Sequence, residues 1–149
     1  MAKIRLTKKF KFEAAHVLRG YNGPCRNIHG HSYELHVTVR GEPVEDSASP
    51  RQGMVIDFGD LKKIVCENII DEFDHSLIIS KLTAAEFDSI QSEAFGKIVV
   101  VDYQPTSEKM LIDFVGRIQS LLPQGVELFS MRLHETVTSY AEWVASDNM

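Results

Sequence analysis

Apolar and polar residues alternate strictly near the start of the chain. Ile4, Leu6, Phe10, Phe12, Ala14 and His16 share one phase, against Lys3, Arg5, Thr7, Lys9, Lys11 and Glu13, with Lys8 the exception. A period of two predicts a β-strand with one face buried. A second run repeats the pattern: Tyr33, Leu35, Val37 and Val39 keep the phase of His31, while Ser32, Glu34, His36, Thr38 and Arg40 take the other. Residues 41–53, rich in Pro, Ser and acids, predict a loop, and Met54-Val55-Ile56 a short strand leading to Asp57 as a helix N-cap. Leu61, Ile64, Val65, Asn68, Ile69 and Glu72 then recur at helical intervals, predicting a helix over about 58–72, with Asp60 placed as in a capping box.

The later chain reads in the same way. Thr83-Ala-Ala-Glu86 predicts the start of a short helix before Gly96, and Lys97 to Asp102, with Ile-Val-Val-Val at its centre, a strand. Pro105-Thr106-Ser107-Glu108 opens a second main helix with a buried stripe of Met110, Leu111, Phe114, Ile118 and Leu121, stopped by Pro123. The last third predicts β-structure: Phe129, Met131, Leu133 and Glu135 oppose Ser130, Arg132 and His134, and a turn leads to a strand over Tyr140 to Ala145.

Chemistry concentrates on the inward phases of the first two strands. His16 ends the first, while His29 and His31 open the second two residues apart, so that an extended backbone points both to one face. Gly30 between them permits close backbone approach. Catalytic zinc is typically held by three protein ligands with a fourth position open, and three imidazoles beside Cys25, a candidate nucleophile or base, suit such a site. The competing reading is three isolated histidines satisfied by hydrogen bonds near strand ends.

Two further sites stand out. Glu135 closes an otherwise apolar row, and a buried carboxylate needs a partner. That partner is either a Lys or Arg at the strand end or a ligand with two adjacent N–H donors, such as the amino-pyrimidinone edge of a pterin or guanine. Asp74-His75, just after the first helix, is either a solvated loop pair or a catalytic one.

Composition bounds these readings. At 149 residues and 44% hydrophobic content, with no low-complexity stretch or linker, the expectation is a single domain over 1–149. Cys25 lies in a Gly/Pro/Asn-rich loop and Cys66 in a helical pattern, so no disulfide framework is expected, and Cys66 reads as helix packing. The first residues lack the continuous apolar stretch of a signal peptide and no segment suits a bilayer, which predicts a cytoplasmic protein with no membrane partner. A net charge of −5 argues against general nucleic-acid binding. Residues 1–40, however, hold eight Lys or Arg against two acids, a local balance of +6, leaving −11 for the remainder. A small polyanionic substrate suits a metal site placed in that field.

The motifs Phe12-Glu-Ala-Ala-His16, Cys25-x3-His29-Gly-His31, Asp57-Phe58, Phe73-Asp74-His75, Pro105-Thr-Ser-Glu108 and Leu133-His-Glu135-Thr136 resemble, in type and order and over almost the whole chain, those of 6-pyruvoyltetrahydropterin synthase-like proteins. Within that group, three residues between the cysteine and His29 are similar to the bacterial 6-carboxy-5,6,7,8-tetrahydropterin synthases of queuosine biosynthesis, because the animal pyruvoyl enzymes usually have a longer gap.

The resemblance implies an α+β T-fold: an antiparallel four-stranded sheet with two main helices on one face, assembled through trimers into an oligomeric barrel, often a homohexamer, with active sites between subunits. It implies zinc on His16, His29 and His31 and no redox cofactor. The implied substrate is 7,8-dihydroneopterin triphosphate, and the products are 6-carboxytetrahydropterin, acetaldehyde and triphosphate. Cys25 moves protons, Asp74 orients the proton relay His75, and Glu135 anchors the pterin edge, with Thr106 and Ser107 adding hydrogen bonds and Glu108 in support. Two features depart from the group: Lys109 stands where asparagine is usual, and residues 76–96 lack the usual Leu-Asn after Asp-His. Rival readings are a 6-pyruvoyltetrahydropterin synthase that only eliminates triphosphate, a non-catalytic zinc- and pterin-binding protein, and a metallohydrolase using zinc-bound water.

Overall fold

Strand phase decides which faces are buried, and the first two strands follow it closely. In the structure, a computed structural model describing residues 1–23, 26–87 and 93–149, β1 (Ile4–His16) pairs antiparallel with β2 (His29–Gly41) along its whole length. Phe10, Phe12, Ala14 and His16 of β1 and Tyr33, Leu35, Val37 and Val39 of β2 are buried on one face. Phe12 stacks on Tyr33 at 4.9 Å between ring centroids, and Phe114 packs edge-on at 6.0 Å. Each such fully buried large side chain contributes roughly 1.5–3 kcal/mol relative to exposure.

The two main helices cover that face. Phe58–Val65 continues through a π-helical turn, Cys66–Ile70, into Asp71–Phe73 as one helix, α1, capped by Asp57, whose carboxylate accepts from the Gly59 N–H at 2.6 Å. The capping-box role expected of Asp60 is taken up differently: its carboxylate pairs with Arg51. After β3 (Ser76–Ser80) comes a short α2 (Lys81–Phe87), and after β4 (Ile98–Val101) comes α3 (Ser107–Ile118). Thr106 caps α3, accepting from the Lys109 N–H at 3.2 Å. Leu61, Val65, Ile69 and Phe73 of α1 and Met110, Leu111, Phe114 and Ile118 of α3 join the strands in one hydrophobic core, with Cys66 packed at its margin. Leu121 falls in a following 3-10 turn and is exposed, so the stripe ends at Ile118.

The sheet is larger than the resemblance implies. It has six strands in the order β4-β3-β1-β2-β5-β6, with β5 (Val126–Thr136) and β6 (Ser139–Val144) antiparallel on one side and β3 and β4 added parallel beside β1. The four-stranded antiparallel expectation is therefore corrected to a mixed six-stranded sheet. Ser76–Ser80 is buried at every position, so its sequence carries no alternation to mark it as a strand, as is usual for parallel strands covered on both faces.

Four local expectations also change. Met54-Val55-Ile56 is not a strand but the exit of a turn, in which the Gly53 N–H donates to the Val44 carbonyl at 2.8 Å and the Val44 N–H to the Met54 carbonyl at 2.9 Å. Ser80, not Thr83, acts as the cap of α2: its hydroxyl accepts from the Thr83 N–H at 3.2 Å. A bulge in the β2–β5 pairing sets Val39 against Leu128 and Thr38 against Ser130, leaving Phe129 as the extra residue. Leu128 is thereby buried, while Phe129 turns to the opposite face under the Arg5 guanidinium, 3.7 Å from the ring centroid. Finally, a Cβ on Gly30 would meet only the Ala14 carbonyl oxygen at 3.5 Å, an ordinary contact, so no close approach within this chain requires glycine there.

Candidate metal centre and its surroundings

Antiparallel register brings the histidines together. His16 at the end of β1 lies directly opposite His29 at the start of β2, and His31 faces Ala14 one pleat further in. Their Nε2 atoms converge: His16 and His29 are 3.0 Å apart, and the three rings lie 4.6 to 5.1 Å from one another in edge-on pairs. Glu135 completes the group, with Oε1 3.3 Å from His16 Nε2 and 2.9 Å from His31 Nε2. It arrives there at an irregularity: β5 pairs His134 with Tyr140 and Thr136 with Ser139, leaving Glu135 as the extra residue of a bulge. Bulges re-aim side chains beside functional sites in this way.

Protonation makes this group a cation site. His16 Nδ1 is 2.7 Å from the Pro105 carbonyl and His29 Nδ1 is 2.6 Å from the Asn27 carbonyl. A carbonyl only accepts, so each Nδ1 carries the proton and donates. Each neutral ring then presents an Nε2 lone pair to the other at 3.0 Å, which is repulsive unless a cation lies between them. One proton satisfies a single pair. His31 Nε2, buried and poorly aligned with Glu135, makes no hydrogen bond with the described residues. A metal ion satisfies all three imidazoles at once beside a carboxylate that favours positive charge, and backbone carbonyls holding the opposite ring nitrogens are the usual outer support of histidine ligands. The ligand atoms of His16, His29, His31 and Glu135 all lie within 4.8 Å of one another, so the group can hold a metal ion.

Electrostatics agree with this. Burial lowers the His31 pKa, and neighbouring His16 and His29 lower it further against the pull of Glu135, which leaves the neutral, ligating form favoured. A hydrogen bond from a protonated His16 holds the Glu135 carboxyl down to about 2, outweighing desolvation, with positive charge on His31 and a hydrogen bond from Ser107 helping; a cation among the three Nε2 atoms supplies the same pull in place of that proton. Ser107 Oγ donates to Glu135 Oε2 at 3.1 Å. Glu135 also opens onto a recess lined by Ser107, Glu108, Ser139, Tyr140 and Ala141, so one carboxylate lies between the imidazoles and a cleft. The strand-end salt bridge to Lys or Arg considered for it is not formed among the described residues: its partners are histidines and Ser107.

Asp74 and His75 do touch. His75 Nδ1 is 3.0 Å from Asp74 Oδ1, which also accepts the Glu13 N–H at 2.9 Å, while the His75 N–H donates to the Glu13 carbonyl at 2.6 Å. These bonds hold His75 at φ 58°, the only non-glycine residue at positive φ among the described residues, a conformation costing of order 1–3 kcal/mol. Lys97 braces the same turn, its Nζ donating to the Asp74 carbonyl at 2.5 Å and the Asp71 carbonyl at 2.9 Å. The bond from the Glu13 N–H, with His75 and Lys97 contributing, keeps the Asp74 carboxyl below its ordinary range. The His75 ring itself is 76% exposed and shares a recess with His31 and Ser32.

The remaining sequence candidates fall as follows. Thr106 has its hydroxyl engaged in the α3 cap, Ser107 faces Glu135, and Glu108 lines the rim of the same recess. Cys25 lies outside the described residues. The sequence reading did not place Glu135 among the metal-holding group, nor did it single out Gln104, whose side chain fastens the loop after β1. Glu135 was visible as an acid on an apolar row; Gln104 left no signal.

An α+β sheet carrying three imidazoles and one carboxylate at one end is a scaffold that could hold a metal ion. The chain belongs to the 6-pyruvoyl tetrahydropterin synthase family, whose model matches residues 5–145. It is 34% identical over 146 residues to a 6-carboxy-5,6,7,8-tetrahydropterin synthase of Haemophilus influenzae, covering 94% of this chain and 98% of that one. It is 30% identical to the protein of the same name from Aquifex aeolicus, covering 95% and 98%. Among solved structures, an uncharacterized protein from Wolinella succinogenes shares the fold at a TM-score of 0.77 and 23% identity over 97% of this chain and 99% of that one. The 6-pyruvoyl tetrahydropterin synthase of Caenorhabditis elegans matches at a TM-score of 0.68 and 25% identity, covering 97% and 96%.

Proposed function

We propose that this chain is a zinc-dependent 6-carboxy-5,6,7,8-tetrahydropterin synthase of queuosine biosynthesis, acting in the cytoplasm. It converts 7,8-dihydroneopterin triphosphate to 6-carboxytetrahydropterin, acetaldehyde and triphosphate. The observation that carries the reading is the convergence of His16, His29 and His31, with Nδ1 of His16 and of His29 tied to carbonyls and His31 Nε2 left without a hydrogen bond among the described residues. The full-length relatives named 6-carboxy-5,6,7,8-tetrahydropterin synthase support a pterin product, and the substrate is the one that the resemblance of the motifs implies.

Zinc on the three imidazoles would act as a Lewis acid toward the substrate side chain. The chain's own residues do the rest. Cys25, three residues before the His29-Gly-His31 motif in sequence, would transfer protons, a role in which nearby positive charge favours the thiolate. Asp74 holds the His75 ring for a relay, Nδ1 toward the carboxylate and Nε2 outward. Glu135 accepts the paired N–H donors of the pterin edge in the recess beside it, steadied by Ser107. Thr106 contributes by fixing the start of α3, and Glu108 borders the same recess.

The active form is a trimer-based barrel, most simply a homohexamer with sites between subunits. Two open sheet edges, β4 and β6, support this, as do Ile98 and Val100, exposed on β4. No helix among the described residues is long and apolar enough to cross a membrane. The test is incubation of the purified protein with dihydroneopterin triphosphate, followed by product mass and acetaldehyde detection. Acetaldehyde with the carboxy product supports the proposal. A pyruvoyl product without acetaldehyde would assign the elimination reaction instead, and zinc and pterin binding without turnover would make the protein a binder.

A further inference from the structure

We propose that the recess beside the metal histidines, walled by Arg19 and Arg26, receives the phosphate chain of the substrate, and that Glu86 holds Arg19 in place until it arrives. This rests on the reading of a pterin triphosphate as substrate. The recess, about 600 Å³, is lined by Arg19, Asn22, Arg26, Asn27, Thr83 and Glu86 among others. Its lining is mostly polar and cationic, unlike the apolar recess around Met54 and Phe58.

Its wall is fastened to the metal centre at both ends. Gln104 clamps Arg19 through two opposed bonds, accepting the Arg19 N–H at 3.1 Å and donating to the Arg19 carbonyl at 2.8 Å. The next residue, Pro105, supplies the carbonyl that orients His16. At the other end, Asn27 adjoins Arg26 and supplies the carbonyl that orients His29. Both guanidinium groups are therefore carried on backbone whose position is tied to the imidazoles. A phosphate chain extends only a few bonds beyond a side chain held at the metal, and it needs cationic donors at that reach. Arginine supplies them in a fork that matches phosphate oxygens two at a time.

Glu86 lines the recess and pairs with Arg19. The pair is exposed, with the side chains 44% and 59% accessible, so it is weak and exchangeable. A polyphosphate carrying several charges displaces a single carboxylate.

Binding of inorganic tripolyphosphate to the metal-loaded protein, followed by phosphorus NMR with metal content measured afterwards, tests the recess without the pterin. Arg19→Gln and Arg26→Gln should each weaken binding about tenfold, and added salt should weaken it further. Glu86→Gln should tighten it severalfold, a direction that loss of structure does not produce. With the pterin triphosphate, Arg19→Gln should raise KM more than it does for the dephosphorylated pterin, which separates the substrate's own chain from free polyphosphate. Unchanged affinity in both arginine variants, or weaker binding in Glu86→Gln, would overturn the proposal. Tripolyphosphate binding through the arginines with no pterin turnover would leave the recess standing and remove only the assigned reaction.

Discussion

The histidines of this chain fall into two groups built on opposite plans. His16, His29 and His31 converge within one chain, with rings largely buried and their outer nitrogens fixed by backbone carbonyls or by burial. His75 is fixed just as firmly in its backbone, at a strained φ, yet its ring is 76% exposed and pairs with Asp74. The first group is complete once a cation is added. The second leaves its Nε2 side facing solvent. That contrast, between a convergent group and an exposed ring that shares a recess with His31, separates the effects expected of mutations.

The largest effect belongs to the metal half. His31→Ala should abolish both zinc binding and turnover, because it removes one of three convergent imidazoles; metal analysis and the product assay together check this. Cys25→Ala should keep zinc at the wild-type stoichiometry and lower kcat by about 10²–10⁴-fold, the usual worth of a positioned proton-transfer group. Full activity in that variant would refute the thiol's role. Glu135→Gln should spare zinc and weaken pterin binding roughly tenfold or more, since an amide presents a donor where the pterin needs an acceptor. Loss of zinc in Glu135→Gln would instead place this residue on the metal.

The smallest effects belong to the relay half. Asp74→Asn should lower kcat while leaving zinc content and KM nearly unchanged. It should also alter acid stability. The folded-state carboxyl lies below its ordinary value, chiefly through the Glu13 N–H, so its stabilisation is fully present above the unfolded pKa of about 3.9 and is lost as pH falls through the folded value. Thermal melts from pH 6 to pH 3 should therefore show a shallower decline in the variant than in the wild type.

How much was legible beforehand depended on whether a feature was local. Alternation in β1 and β2 put His16 and His31 on the buried phase correctly, because each strand has one wet face and one dry one. The spacing of Leu61, Val65 and Ile69, and of Met110 and Phe114, gave both main helices for the same reason. Ser76–Ser80 escaped notice because a strand buried on both faces has no period, whereas the smaller sheet was an expectation of the family resemblance and not of this omission. Phe129 was assigned to the wrong face because a bulge resets phase without any marker in a single sequence. The carbonyl of Pro105 lies 89 residues from His16, and the Ser107 hydroxyl 28 from Glu135; contacts at such separations exist only once the fold has formed. The metal residues could be suspected from the sequence, then, but the protonation argument that makes them a cation site needed the structure.

The most direct measurement is zinc titration of metal-free protein, read by a competing chromophoric chelator, for the wild type and His31→Ala. A single tight equivalent per chain in the wild type, absent from the variant, is the expected result. Failure of the wild-type chain to take up zinc, or uptake unchanged by His31→Ala, would contradict the account.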